Sequence, residues 1–390
     1  MIDVVATLPR GPVYLAGETI HCIITFSNSA LPEYESHGEQ YDVLAWASVQ
    51  IHCQRTVSET RIVLPSSTNL STEEVSTTGC ETSFVPNKGE KGCTVLSTKP
   101  KILFCDLKLA PGESKQYEYK DIVPADSPPS YRGQAIKYSY KITIGTQRLN
   151  QPTKLLRIPI RVMVLFGLND TSVYNENEVD VAPTNPFLKH SRKENSILDM
   201  ALQVLSTVTT RKTARFYNIT NVRGKVARFH LFKNAYRLGE DINGVFDFSG
   251  GSVACVQLSV SLQSEESVAE ECCRKKNQPT SITFYGKQQE MCLHTQRTHI
   301  SIPVPLTITP GFITDIVCLR WRLHFEFVTV VDEVHDTEQI VAADGCSMWQ
   351  GPPVLNVETM VWDLPIKIFP TSPIHAWSAT LLKSEEFIQV

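Results

Sequence analysis

Residues 14–20 read YLAGETI, and residues 236–242 read YRLGEDI. Both are instances of Tyr-x-x-Gly-Glu-x-Ile, so Tyr14, Gly17, Glu18 and Ile20 correspond to Tyr236, Gly239, Glu240 and Ile242. An apolar alternating run follows each copy, carrying Cys22, Ile24 and Phe26 in the first and Val245, Phe246 and Phe248 in the second. The pattern predicts a strand, a tight turn whose glycine takes a positive φ, and a second strand. A repeat at this spacing governs the reading of the whole chain.

Three further matches follow in the same order. ASVQIHCQ (47–54) answers CVQLSVSLQ (255–263), and PPSYRGQAIKYSYKITI (128–144) answers PGFITDIVCLRWRLHFEF (310–327). Ile158-Pro159-Ile160-Arg161-Val162 then answers Leu364-Pro365-Ile366-Lys367-Ile368. A duplicated domain accounts for all four. The expected organisation is a first sandwich over residues 1–168, a linker with one helix over 169–215, a second sandwich over 216–369 and a tail over 370–390.

The fold class expected is all-β, with antiparallel sheets. Runs of five to nine alternating residues are separated by Pro, Gly, Ser and Asn clusters, as in a sandwich. Strands are expected in the first half at 1–10, 12–28, 43–56, 60–65, 93–109, 114–123, 133–145 and 152–166. The polar stretches 29–42, 66–92, 270–291 and 331–353 are expected to be loops. One helix is expected within 194–207, capped by Asn195 or Ser196, with Ile197, Leu198, Ala201, Leu202 and Leu205 on one face.

A chain of 390 residues is long enough for two ordinary cores. Its net charge of −4 argues against nucleic acid as partner. The opening MIDVVATLPR lacks a basic n-region and a long apolar stretch, so a cytosolic protein is expected. Eleven scattered cysteines without a CxxC pair agree with reduced, buried thiols, and the glycosylation triplets at Asn69, Asn169 and Asn218 then carry no meaning.

Enzyme signatures are missing from the sequence. GGSVA (250–254) lacks the last glycine of a nucleophile elbow, and GEKGC (89–93) lacks Walker spacing. His21-Cys22 and His52-Cys53 point to opposite strand faces, and Cys292 with His294 lacks a second ligand pair, so strand packing is favoured over a metal site. No catalytic residue, metal ligand or cofactor is assigned.

The two long strands carry the surface expectation. Ile136, Tyr138, Tyr140, Ile142 and Ile144 should face a core, as should Leu319, Trp321, Leu323, Phe325 and Phe327. The opposite faces lean basic, with Lys137 and Lys141 on one strand and Arg320 and Arg322 on the other. These four are the candidate partner-binding residues, for an acidic protein or an anionic membrane. Edge protection and solubility explain them as well. The basic run Lys189–Lys193 has the same two readings. Pro128-Pro129-Ser130-Tyr131 matches the Pro-Pro-x-Tyr ligand of WW domains but is also a rigid entry into a core strand. The ending Phe387–Val390 is too permissive a pattern to mark a PDZ ligand.

Taken together, the tandem sandwiches, the Gly-Glu turns and the Pro-Pro-Ser-aromatic entry resemble the arrestin fold. A narrower likeness rests on VVATLPRGPVYLAGE (4–18), LAWASVQIHCQ (44–54), KILFCDLKLAPGESKQYEY (101–119), VRGKVARFHLFKNAYRLGED (222–241), RWRLHFEFVT (320–329) and WDLPIKIFPTSP (362–373). These segments resemble the Rgp (reduced growth phenotype) family. The resemblance implies the arrestin-like subunit of the Ric–Rgp guanine nucleotide exchange factor. Its implied partners are Ric, a large β-propeller and helical-repeat subunit, and a Golgi Rab GTPase, on peripheral Golgi membranes in endosome-to-Golgi transport. Exchange factors work by differential binding, so the missing active site fits. The same fold also leaves open an adaptor that brings membrane cargo to a WW-domain ubiquitin ligase, and a retromer-like sorting role.

Overall fold

The computed structural model describes residues 2–29, 41–64, 92–166, 197–210, 214–274, 279–332, 340–341, 347–348 and 354–381. The first half holds β1 (Ile2–Thr7), β2 (Val13–Leu15), β3 (Thr19–Asn28), β4 (Asp42–Val57), β5 (Cys93–Ser97), β6 (Lys101–Leu109), β7 (Ser114–Ile122), β8 (Tyr131–Arg132), β9 (Ile136–Gln147) and β10 (Lys154–Met163). Helix α1 (Ile197–Thr210) follows. The second half holds β11 (Arg215–Asn221), β12 (Gly224–Leu231), β13 (Ala235–Arg237), β14 (Asp241–Asp247), β15 (Cys255–Val268), β16 (Thr280–Met291), β17 (Arg297–Pro303), β18 (Phe312–Ile313) and β19 (Val317–Val330). It ends with β20 (Ile340–Val341), β21 (Ser347–Met348), β22 (Val357–Phe369) and α2 (Pro373–Leu381).

The architecture is all-β, and the same plan is used twice. In the first half a sheet ordered β1-β3-β7 faces a sheet ordered β2-β10-β9-β4-β5, with β6 on β4 and β8 on β9. In the second, β11-β12-β14-β17 faces β13-β22-β19-β15-β16, with β18 on β19. Pairing is antiparallel except where β2 lies parallel to β10 and β13 parallel to β22. The second small sheet has one strand more, β11, added at the edge of β12.

Alternation decides which side chains go inside. Ile136, Tyr138, Tyr140, Ile142 and Ile144 are buried, as are Leu319, Trp321, Leu323, Phe325 and Phe327. The cores do not respect the boundary between halves. Val13, Leu15 and Met163 pack into the second core, whereas Val268, Phe312, Ile316 and Leu319 pack into the first.

Several expectations need correction. Of the strand expected at 60–65, the described residues 60–64 form none; Ile62 makes a single antiparallel bridge to Cys273, flanked by Val63 N–H to Cys272 C=O and Arg274 N–H to Arg61 C=O. The apolar residues there serve the junction of the halves, so their pattern imitates a strand without a ladder. The stretch 93–109 is two strands, parted around Pro100, which cannot donate to a ladder. The expected loop 270–291 contains β16, an edge strand whose wide exposure hides its period. The tail carries α2, whose Trp377 lies against Gly11. A Cβ at Gly11 would collide with that indole. The caps Asn195 and Ser196, the run Lys189–Lys193, residues 66–91 of the expected loop and the ending Phe387–Val390 fall outside the described residues.

Candidate interaction surfaces

The two Gly-Glu turns are the same object. Gly17 has φ +88° and Gly239 φ +85°, the left-handed region that favours glycine. In the first, Glu18 N–H donates to Leu15 C=O at 3.0 Å while the Glu18 carboxylate accepts from Leu15 N–H at 3.0 Å. In the second, Glu240 N–H donates to Arg237 C=O at 3.1 Å and its carboxylate accepts from Arg237 N–H at 2.9 Å. Each glutamate therefore ties its own turn, and each glycine N–H reaches across to the small sheet's connection, at Val123 or Val304. Tyr14 and Tyr236 are buried beneath the turns. Burial, then the neighbouring Cys22 and Glu18, pushes the Tyr14 phenol up to about 12.

The turns differ in what they hold. Glu18 meets Arg10 at 2.9 Å, an arginine largely in solvent. Glu240 meets Lys233 at 2.7 Å and Arg237 at 3.1 Å. Lys233 also donates to Thr209 C=O at 3.3 Å, in the last turn of α1. Helix α1 has no basic residue in its own last turn, so Lys233 supplies the cation that a helix C-terminus favours. Leu205 of α1 packs with Ala235 and Phe369, fixing the helix to the second sandwich.

A buried polar seam joins the halves. Glu266, near the end of β15, accepts from Gln134 N–H at 2.8 Å and Ala135 N–H at 3.1 Å in the first half. Arg161 of β10 donates to Leu306 C=O at 2.8 Å and Ile308 C=O at 2.7 Å in the second. Tyr131 and Phe312, which occupy equivalent positions in the register, meet edge to face at 5.0 Å. Beside the seam lies a groove of about 790 Å³ lined by Gly17, Arg55, Pro128, Tyr138, Phe166 and Ile313, among others. Periodicity gave no hint of this seam; the one available signal was an acidic pair, Glu265-Glu266, inside an otherwise core-like strand.

The four basic candidates lie on the outer faces of the two large sheets, in separate sheets. Lys137 and Arg320 are exposed. Lys141 is half-buried, opposite His52 on one side and Pro159 on the other. Arg322 is already engaged: it donates to Gln263 Oε1 at 3.1 and 3.2 Å and to Asp363 at 3.0 Å, with Glu265 at 3.7 Å. His324 sits 2.6 Å from Asp363 and 3.6 Å from Glu326. Lys287 adds a pair to Glu326 at 3.3 Å. The second outer face is thus a lattice of both signs, because acidic residues from β15 and β22 stand beside the bases of β19. The expected lean to basic charge does not hold there.

Pro128–Tyr131 is built into the seam. Pro128 C=O accepts from the Tyr140 hydroxyl at 2.6 Å, and Ser130 hydrogen-bonds Val162 through N–H and hydroxyl. Burial, then the Glu266 carboxylate, pushes the Tyr131 phenol well above its ordinary value. A WW domain needs this tyrosine free, so the motif's residues favour packing. Among the described residues no group of three or more His, Cys, Asp or Glu gathers in metal-holding geometry, and no helix is long and apolar enough to cross a membrane.

Comparison with known proteins supplies the remaining finding. The model of the Rgp1 family matches residues 64–167 and 169–330. A human protein named RAB6A-GEF complex partner protein 2 is 47% identical over 383 residues, covering 96% of this chain and 96% of the relative. Its namesake in Bos taurus is 46% identical over 374 residues, covering 94% of this chain and 93% of the relative.

Proposed function

The chain belongs to the Rgp1 family, and from that premise we propose that it is a partner subunit of a Rab guanine nucleotide exchange complex. The observation that carries the reading is near-full-length identity to relatives named as partners in a RAB6A exchange complex. The physical form suits the task. Two sandwiches that share core residues and a buried polar seam present large surfaces in a fixed relation. An exchange factor holds the nucleotide-free GTPase more tightly than the loaded one, and no acid, base or nucleophile is required for that.

The finer reading is a non-catalytic, arrestin-like scaffold. It works in the cytoplasm, peripherally on Golgi membranes, beside a Ric-type propeller subunit, and activates a Golgi Rab in endosome-to-Golgi transport. Residues 1–168 and 216–369 are the two platform modules. Lys137, Lys141, Arg320 and Arg322 belong to their docking faces, with Lys137 and Arg320 the more available because Arg322 is held by Asp363.

Tagged protein purified at endogenous level should carry one stoichiometric propeller-containing companion and retain a Rab only without nucleotide. Charge reversal of Lys137, Lys141, Arg320 and Arg322 together should slow GDP release by the assembled complex about tenfold or more. Reversal of Lys137 and Arg320 alone should leave stability within about 0.5 kcal/mol, whereas reversal at Arg322 also breaks its bonds to Gln263 and Asp363. Unchanged assembly and release rates would remove these faces from the reading, and absence of any companion would remove the reading itself.

A further inference from the structure

Among the described residues, the second half has a small-sheet strand, β11, without a counterpart in the first. Register makes β1 the counterpart of β12: Ala6 pairs with Ile24 as Phe229 pairs with Phe246. In the second half β11 continues the sheet beyond β12, pairing Tyr217 with Phe229 and Ile219 with Ala227. Tyr217 drops between the sheets, 6.2 Å from the Phe229 ring and 5.2 Å from Trp362 on the opposite sheet. In the first half, β1 is an edge strand among the described residues.

The space that Tyr217 and Ile219 fill has a counterpart there. A cavity of about 280 Å³ opens beside β1, lined by Ile2, Val4, Leu44, Ile144 and Leu156 among others. Leu156 stands where Trp362 stands in the second half, and Ile144 where Phe325 does, by the matched pairings of β9 with β10 and β19 with β22. Burial records the same gap. Val4 and Ala6 are only half-buried, whereas their counterparts Ala227 and Phe229 are fully buried. On the rim, Arg148 is paired with Asp42 and Asp3 accepts from Ser29, but Lys154 is exposed and has no ion pair among the described residues.

We propose that the free edge of β1 and the slot beside it dock an extended strand of a partner protein. That strand pairs antiparallel with β1, as β11 pairs with β12. It sets apolar side chains opposite Ala6 and Val4, the one opposite Ala6 aromatic, and carries an acidic residue near Lys154. Open backbone donors and acceptors supply affinity and the slot supplies selectivity. That the donor is a companion in an exchange complex rests on the reading above; the edge itself does not.

Hydrogen exchange on the full chain tests the proposal, with the synthetic peptide RFYNITN, a copy of residues 215–221, as probe. Saturating peptide should slow exchange of the β1 amides about tenfold or more, and RFANITN should not. Leu156→Trp fills the slot from within; it should keep the parent melting temperature and bind RFYNITN about tenfold more weakly. Equal protection by both peptides, or unchanged binding to the Trp variant, overturns the slot. Protection of β1 that appears only with rising protein concentration, alongside a dimer in sedimentation, makes the occupant a second copy and overturns the partner strand. With the purified companion, a complex that assembles while β1 exchanges as in the free chain overturns docking there and leaves the proposed function standing. If nothing assembles, the proposed function falls and the peptide arm still decides the edge.

Discussion

In the second sandwich Phe229, Phe246, Phe325 and Trp362 form one ring cluster, with Phe229 and Phe246 stacked at 4.3 Å and Phe325 and Trp362 at 4.8 Å. The corresponding positions of the first carry Ala6, Ile24, Ile144 and Leu156. One strand plan thus tolerates two fillings, because β topology is set by alternation and turns while the volume between sheets is filled locally. The aromatic filling comes with a fourth small-sheet strand and an anchored helix. The aliphatic filling comes, among the described residues, with β1 as an edge strand and with a cavity.

The largest test of that contrast is core truncation. Phe325→Ala should cost about 3–5 kcal/mol, since it removes a ring with several ring partners, while Ile144→Val at the matched site should cost about 0.5–1.5 kcal/mol. Urea unfolding of both variants measures this. Equal losses would mean that the first sandwich is as tightly filled as the second.

The seam is the next target. Glu266→Ala leaves the buried N–H of Ala135, and the part-buried N–H of Gln134, without their acceptor, at about 1–3 kcal/mol. The loss should fall on the joint: the parent should unfold in one calorimetric transition and the variant in two. One sharp transition in the variant would show that the shared core couples the halves without it.

The paired turns offer a finer comparison. Alanine is strained at either glycine, but a Cβ at Gly239 meets Leu306 at 2.9 Å whereas at Gly17 its nearest neighbour is Ala125 at 3.7 Å. Gly239→Ala should therefore be the more destabilising, the strain alone being about 1–3 kcal/mol at each site. Thermal melts of the two single variants decide it, and a larger loss at Gly17 would reverse the ranking.

The smallest effect is one of pH. Asp42 and Arg148 form a latch at 2.8 Å in the first half, where the second has Thr329 at the site matched to Arg148. The Arg148 guanidinium, against the opposing cost of burial, holds the Asp42 carboxyl at about 2, below its ordinary 3.8. A depressed folded-state value means that the latch stabilises fully above the ordinary value and that this stability is lost as pH falls toward about 2. Asp42→Asn should remove that part of the acid dependence and leave the rest. Parallel acid curves for parent and variant would show that the latch contributes nothing.

Much of this architecture was legible beforehand. The Gly-Glu turns, the buried faces of β9 and β19 and the helix at Ile197–Thr210 follow from local rules: φ at glycine, period two in strands, period near four in helices. The strand expected at 60–65 failed because an apolar residue pairing once across the seam looks the same, in sequence, as one inside a ladder. Strand β16 was missed because its half-buried face carries Gly286, Gln288 and Glu290, which give no apolar alternation to read. The basic faces were judged one strand at a time, and Arg322 changed meaning once Asp363 and Glu265 came in from neighbouring strands.

The amino-acid order alone therefore determines the buried strand faces and the Gly-Glu turns, since alternation and turn chemistry act over a few residues and survive in any context. Only the folded arrangement decides that Glu266 bridges the halves, that Tyr131 is packed against Phe312 at the seam, and that among the described residues β1 has no neighbour where β12 has β11. The first two depend on which residues meet across more than a hundred positions of chain. Contacts of that range are set by packing of the whole, which no local period encodes.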